Sequence, residues 1–252
     1  MNDAERMVGD YGLDSPIALR GLVLAAAGSL LVTVVSGILD HVAVMAASFV
    51  VGALVSLIGL VLVRSSRVAK IRERVRLVDR LELQGDERVL DVGCGLGLLL
   101  VEVARRLNDC GRAVGVDVWR SADGMVADGE LARHNAQIEG VDHHVDVSSA
   151  DVRALPYTAE SFDAVVSGLA LHHIEGFDSR VHAIREISRV LEPGGRVVLI
   201  DRHHTRNYVD ALRACNLVDV VRSRRVWRLL PPPRYVTGRK PIRGLGAPSR
   251  AA

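Results

Sequence analysis

In VLDVGCGLG, Val89 to Gly97, the acid Asp91 is followed by Gly93, Cys94, Gly95 and Gly97. Glycines so closely spaced allow a tight turn and let a ligand approach the backbone. A dinucleotide-binding turn asks for G-x-G-x-x-G. Gly93 and Gly95 fit, but the third place is Leu98 and Gly97 comes one residue early, which weakens a phosphate-binding reading. Asp117 closes AVGVDVW 20 residues after Gly97, where a carboxylate is placed to accept hydrogen bonds from ribose hydroxyls. Each feature alone has a plainer reading, a turn or a solvated strand-end acid. Their joint spacing points to an adenosine-containing ligand.

Further along, SGLALHHI carries His172 and His173. An imidazole titrates near neutrality, so either ring could remove a proton from an acceptor hydroxyl or enol. Packed or capping histidines are the alternative, and neighbours on one element point different ways, with His172 favoured over His173. Asp151, in SADVRAL, is open to a role as a turn or helix cap. Cys94, Cys110 and Cys215 have no CxxC or metal-ligand spacing, which suits a reducing compartment and supplies neither zinc site nor disulfide framework.

The elements that must position these residues alternate. Strands are expected near Arg88 to Val92, Ala113 to Asp117, His144 to Ser148, Phe162 to Ser167 and Arg196 to Ile200. Helices are expected near Leu98 to Leu107, Asp128 to Glu139 and Ser179 to Leu191, with a turn at Pro193-Gly194-Gly195 before the fifth strand. This is the pattern of an α/β fold with a doubly wound, Rossmann-like parallel sheet, and it puts the glycine turn beyond the carboxyl end of the first strand.

VLDVGCGLG, VGVDVW, SADVRALPYTAESFDAVVSGLALHHI and EISRVLEPGGRVVLID, in this order, resemble the class I S-adenosylmethionine-dependent methyltransferases over Arg88 to Asp201. The acid followed by LP and then SFD is similar to the small-molecule and lipid-quinone branch. The resemblance implies S-adenosylmethionine as cofactor. It places Asp91, Gly93, Cys94, Gly95 and Gly97 near the methionine part, Asp117 and Val118 at the ribose, and Asp151 and Val152 at the adenine, with Ser167 also at the cofactor. His172 and His173 fall where the family faces its acceptor, and no metal is required. The Asn/Asp-Pro-Pro-aromatic motif of DNA-adenine and protein-glutamine methyltransferases is missing, which argues against that kind of amino-group methylation. By the same analogy, Tyr208 to Asn216 is expected to be helical and LVDVV a strand, in a seven-stranded sheet with one antiparallel strand.

Composition adds a second region. Apolar residues make up 49% of the 252 residues and aromatics only 4%, and residues 21 to 63 contain no Lys, Arg or Glu. Gly21 to Leu39 and Val42 to Val63, separated by Asp40 and His41, approach the roughly 20 residues needed to cross a hydrocarbon core. Ala25, Ser29, Thr33 and Gly37, facing Ser48, Gly52 and Ser56, offer small-residue stripes for close packing of a transmembrane hairpin. The alternative is a buried helical pair in a soluble dimer. Arg6 and Arg20 precede the spans, and Arg64, Arg67, Lys70, Arg72, Arg74, Arg76 and Arg80 follow them. Both termini are therefore expected to be cytoplasmic.

The expected organisation is an N-terminal segment 1–20, a hairpin 21–63, a connecting amphipathic helix 64–85 with Val68, Ile71, Val75 and Val78 on one face, and a methyltransferase domain 86–252. After Asp219 the chain has nine basic residues and no acid, expected to form a basic tail facing an anionic leaflet rather than nucleic acid. Trp227 and Tyr235 there suit either the headgroup level or the core. Together these features predict a multi-pass cell-membrane methyltransferase acting on a hydrophobic or lipid-like small molecule, with the lipid bilayer as partner and no nucleic acid. The oligomeric state is left open. A non-catalytic S-adenosylmethionine-binding membrane regulator or scaffold is the first alternative and a nicotinamide-dependent oxidoreductase the second.

Overall fold

A computed structural model describes residues 9, 11, 16–64, 70–119 and 129–242, and the chain divides into two compact units, a helical hairpin and an α/β domain. In the hairpin, α1 (Pro16–Ile38) and α2 (Val42–Arg64) are apolar around their whole circumference. Their stretches Leu19–Ile38 and Val42–Val63 are long and apolar enough to cross a membrane. The Ser29 hydroxyl donates to the Ser48 carbonyl, the Thr33 and Ser48 hydroxyls lie 2.8 Å apart, and a Cβ on Gly52 would sit 3.2 Å from Ser29 Oγ. Ala25 and Ser56, expected on the same stripes, are exposed, while Ser36 and Gly59 are buried. At 3.6 residues per turn a strict four-residue repeat rotates roughly 40° at each step, so only its middle faces the partner.

The domain is built on one seven-stranded sheet in the order β3-β2-β1-β4-β5-β7-β6. Its strands are β1 (Arg88–Val92), β2 (Arg112–Asp117), β3 (Val145–Ser149), β4 (Phe162–Gly168), β5 (Leu191–Asp201), β6 (Val218–Arg222) and β7 (Arg234–Arg239). The first five pair in parallel, and β7 runs antiparallel between β5 and β6. Around it lie α3 (Lys70–Asp79), α4 (Leu98–Ala104), α5 (Glu130–Ile138), α6 (Phe177–Val190) and α7 (Thr205–Ala214). The central strands are continuous apolar runs because both of their faces are covered. Leu90, Val165, Val197 and Leu199 share a core with Ile184 and Ile187 of α6 and with Tyr208 and Leu212 of α7. The expected doubly wound sheet is present. Strand order reverses at β1, which has β2 on one side and β4 on the other, and a crevice opens there.

Several boundaries differ from expectation for local reasons. The connecting helix is described only from Lys70 and ends at Asp79, and Val68 lies outside the described residues. Val75, expected on its buried face, is exposed, whereas the charged Glu73 and Arg74 are buried. Both are paired, which makes their burial tolerable: Glu73 accepts from the Tyr235 hydroxyl at 2.6 Å, and Arg74 lies 3.2 Å from Glu139. Pro193-Gly194-Gly195 is a bulge within β5 rather than a turn before it. Leu191 pairs with Phe162 and Arg196 with Ala164, while the Gly194 amide donates to Lys240. Helix α7 begins at Thr205, ahead of Tyr208. Much of the expected basic tail is sheet, since Arg234–Arg239 form β7. Tyr235 is core, whereas Trp227 is exposed. Residues 243–252 lie outside the described residues.

Candidate functional site

The crevice begins at Gly93, with φ +71°, where a Cβ would lie 2.2 Å from the Cβ of Ala170. No side chain fits, so the backbone stays bare. Asp117, closing β2, holds this loop: its Oδ2 accepts from the Gly95 amide at 2.9 Å and its Oδ1 from the Trp119 amide at 3.0 Å. The Trp119 indole donates back to the Gly95 carbonyl at 3.2 Å, and Asn135 on α5 donates to the Leu96 carbonyl at 2.9 Å. An ionised carboxylate offers about four acceptor positions, so Asp117 keeps capacity for a ligand's hydroxyls.

The cleft of about 420 Å³ brings together Gly93, Asp117, Val118, Asp151, Val152 and His173 from the expected set, along with Ala170, Ile174 and Glu175. It is not lined by Asp91, Cys94, Gly95, Gly97, Ser167 or His172. Gly97 instead caps α4 in the left-handed conformation, just ahead of Leu98. Ser167 is buried and donates to the Val92 carbonyl at 2.7 Å, stitching β4 to β1. Cys94 is buried beneath the loop, where burial pushes its thiol pKa up and leaves it a packing residue. Asp151 accepts from the Arg153 amide at 2.9 Å and pairs with the Arg153 guanidinium at 2.5 Å, so it caps a short turn as well as lining the cleft.

Asp91 is buried, and neither carboxylate oxygen has a hydrogen-bond partner among the described residues. Burial pushes its pKa up to about 8, with Asp117 adding to the rise. The Leu100 amide opposes it without reaching hydrogen-bond geometry.

The ends of β4 and β5 carry a second group of side chains. Asp201 is buried, and its Oδ2 accepts from the His172 amide at 3.0 Å and from the Tyr208 hydroxyl at 3.0 Å. His172 Nδ1 lies 2.6 Å from Asp201 Oδ1, off the line of a ring N–H. The His172 and His173 rings are 4.0 Å apart between centroids. Burial first, and then neighbouring His172, lower the pKa of His173 against the pull of Asp201. This favours the neutral ring, the form that accepts a proton. Leu169, just ahead, is held at φ +56°, a strained conformation for a side chain of its kind. Asp201, Tyr208, Trp119 and Ala170 were not singled out from the sequence. For Trp119 a signal existed, since it directly follows the VDV of the second strand.

A parallel sheet with a bare glycine turn and an acid closing its second strand defines a Rossmann-like ligand-binding domain. Residues 90–199 match the family described as a methyltransferase domain. The chain is 37% identical over 126 residues to the 27-O-demethylrifamycin SV methyltransferase of Amycolatopsis mediterranei, covering 50% of this chain and 42% of that protein. It is 32% identical over 127 residues to the 2-phytyl-1,4-naphtoquinone methyltransferase of Thermosynechococcus vestitus, covering 50% of this chain and 51% of that one. The chain thus spans about half the length of the curated relatives it matches. Among solved structures, the [4+2]-cyclase SpnF shares the fold with a TM-score of 0.59 and 24% identity, covering 71% of this chain and 83% of its own.

Proposed function

We propose that this protein is a membrane-anchored S-adenosylmethionine-dependent methyltransferase that acts on a hydrophobic, lipid-like acceptor. The observation that carries this reading is the cleft itself, a bare backbone at Gly93 flanked by Asp117, Asp151 and Glu175. Among the described residues the cleft's one cation, Arg153, is paired with Asp151, which leaves the acids Asp117 and Glu175 in excess, a balance that suits a cationic ligand with ribose hydroxyls better than it suits a triphosphate. S-adenosylmethionine supplies a methyl group already activated on a sulfonium, so the protein's part is alignment and exclusion of water. Asp117 receives the ribose hydroxyls, Asp151 and Val152 border the adenine, and Gly93 lets the backbone approach closely. His173, at the cleft wall, takes the acceptor's proton, and His172 behind it is steadied by Asp201. Two apolar helices support the membrane reading. An anchor raises the effective concentration of enzyme beside a membrane-dissolved acceptor, and the basic residues flanking the spans favour cytoplasmic termini.

Membranes containing the full chain, supplied with S-adenosylmethionine, are expected to release S-adenosylhomocysteine and to yield a lipid-extractable product heavier by one methylene. Cofactor binding without turnover across membrane extracts would instead favour a non-catalytic binding protein, a reading kept because the same fold serves a cyclase. A reporter between Asp40 and His41 is expected outside and reporters at either terminus inside.

A further inference from the structure

Beyond the carboxyl end of β5, and outside the cleft, four arginines converge on the amino end of α7. Arg222, the last residue of β6, donates through Nε to the Thr205 hydroxyl at 2.8 Å, at the first residue of α7. Arg206 follows Thr205 on the same turn. Arg234 opens β7 and donates to the Ser223 carbonyl at 2.8 Å, which ties it to the residue after Arg222, while Arg225 lies in the connection between β6 and β7. The cap residue of α7, His204, makes no side-chain cap. Among the described residues none of these four arginines has a carboxylate within ion-pair distance. Burial, and then Arg234, Arg206 and Arg225, lower the pKa of Arg222, so like charges face one another here. Hydrogen bonds hold two of these cations together where repulsion would spread them. A bound anion relieves that cost, and guanidinium forks match phosphate oxygens. Two apolar side chains of the same region face outward, Val221 at 59% exposure and Trp227 at 69%. A cationic cluster beside an exposed tryptophan suits the headgroup level of a bilayer.

We propose that Arg206, Arg222, Arg225 and Arg234 form an anion site that takes a phosphate group, carried by the headgroup of an anionic lipid. The site does not depend on methyl transfer; only the lipid source rests on the membrane reading above. The test uses the full chain in neutral detergent micelles, titrated separately with short-chain phosphatidylglycerol, short-chain phosphatidylcholine, inorganic phosphate and a single-stranded RNA oligonucleotide. Phosphatidylglycerol is expected to bind more tightly than phosphatidylcholine and to weaken with salt. Arg222→Gln with Arg234→Gln should lower its affinity about thirtyfold, each lost charge near the surface being worth about fivefold. The exposed pair Arg206→Gln with Arg225→Gln, which leaves the Thr205 and Ser223 contacts in place, should produce a similar loss and guards against misfolding of the first variant. Inorganic phosphate binding as tightly as phosphatidylglycerol, with the same losses, would support the site and overturn the lipid source. Unchanged phosphatidylglycerol affinity in both folded double variants, or tighter binding to RNA, would overturn the proposal.

Discussion

At the ends of β1 and β2, side chains hold backbone: Asp117 clasps two amides, Trp119 a carbonyl and Asn135 another. At the ends of β4 and β5, side chains also hold one another, with Asp201 gathering His172 and Tyr208. The first arrangement shapes a rigid cradle whose specificity lies in where the main chain runs. The second holds the His172 backbone and the Tyr208 hydroxyl in place and sets a charge beside His173. On the roles proposed above, the fold divides binding from proton handling across its switch point, and damage to the two halves should read out differently.

The sharpest break in that contrast comes from Gly93→Ala. A Cβ would meet Ala170 at 2.2 Å on a backbone with φ +71°. Overpacking and backbone strain of roughly 3 kcal/mol should weaken S-adenosylmethionine binding about 100-fold by calorimetry. Gly140→Ala supplies the control, because Gly140 has a similar φ of +70° and, among the described residues, nothing lies within 4 Å of where its Cβ would be. It should bind as the parent does. Equal affinity in both variants would remove Gly93 from the cradle.

Asp117→Ala should follow in size, losing about 1–3 kcal/mol of cofactor binding, since the hydroxyl acceptor disappears and the Gly95 and Trp119 amides lose their partner. Asp117→Asn keeps one acceptor oxygen and should fall between. A folded Asp117→Ala protein with parental affinity would contradict the ribose role.

On the other side, Asp201→Asn should leave cofactor affinity intact and lower kcat about tenfold, with the acidic limb of the pH–rate profile displaced to lower pH because His173 loses the carboxylate charge that holds its pKa up. Tyr208→Phe, which removes one donor to the same carboxylate but keeps its charge, should lower kcat less strongly and leave the acidic limb in place. A loss of cofactor binding in Asp201→Asn with kcat preserved would erase the distinction between the halves.

The cradle was readable in the sequence because its parts are contiguous: a glycine turn follows its strand, and Asp117 ends the next. Alternating apolar runs likewise gave away the sheet, and the missing charges marked the two long helices. Partnerships across long stretches of chain were hidden. Asp201 lies 29 residues from His172, and Glu73 meets a tyrosine 162 residues away. Periodicity counts apolar residues, so it put Val75 inside α3 and could not foresee that Glu73 and Arg74 would be buried by pairing. The strand β7 was obscured because it follows three prolines and carries its arginines at both ends, a pattern that reads as tail until β5 and β6 are seen to flank it.

The smallest expected effect separates Asp91 from Asp117, two acids on the same side of the contrast. Asp117 is satisfied by amides, whereas Asp91 is buried without a partner among the described residues and its pKa is pushed up to about 8 by burial. The unfolded chain releases that proton near the ordinary carboxylate pKa of about 4. Between about pH 4 and pH 8 the folded state therefore holds more protons than the unfolded state, and stability contributed by Asp91 declines as pH rises through that window. Asn cannot titrate, so the melting temperature of Asp91→Asn, followed by tryptophan fluorescence of the full chain in detergent, should fall less steeply than the parent's from pH 5 to pH 8. Parallel curves for parent and variant would show that Asp91 is ionised in the folded protein throughout.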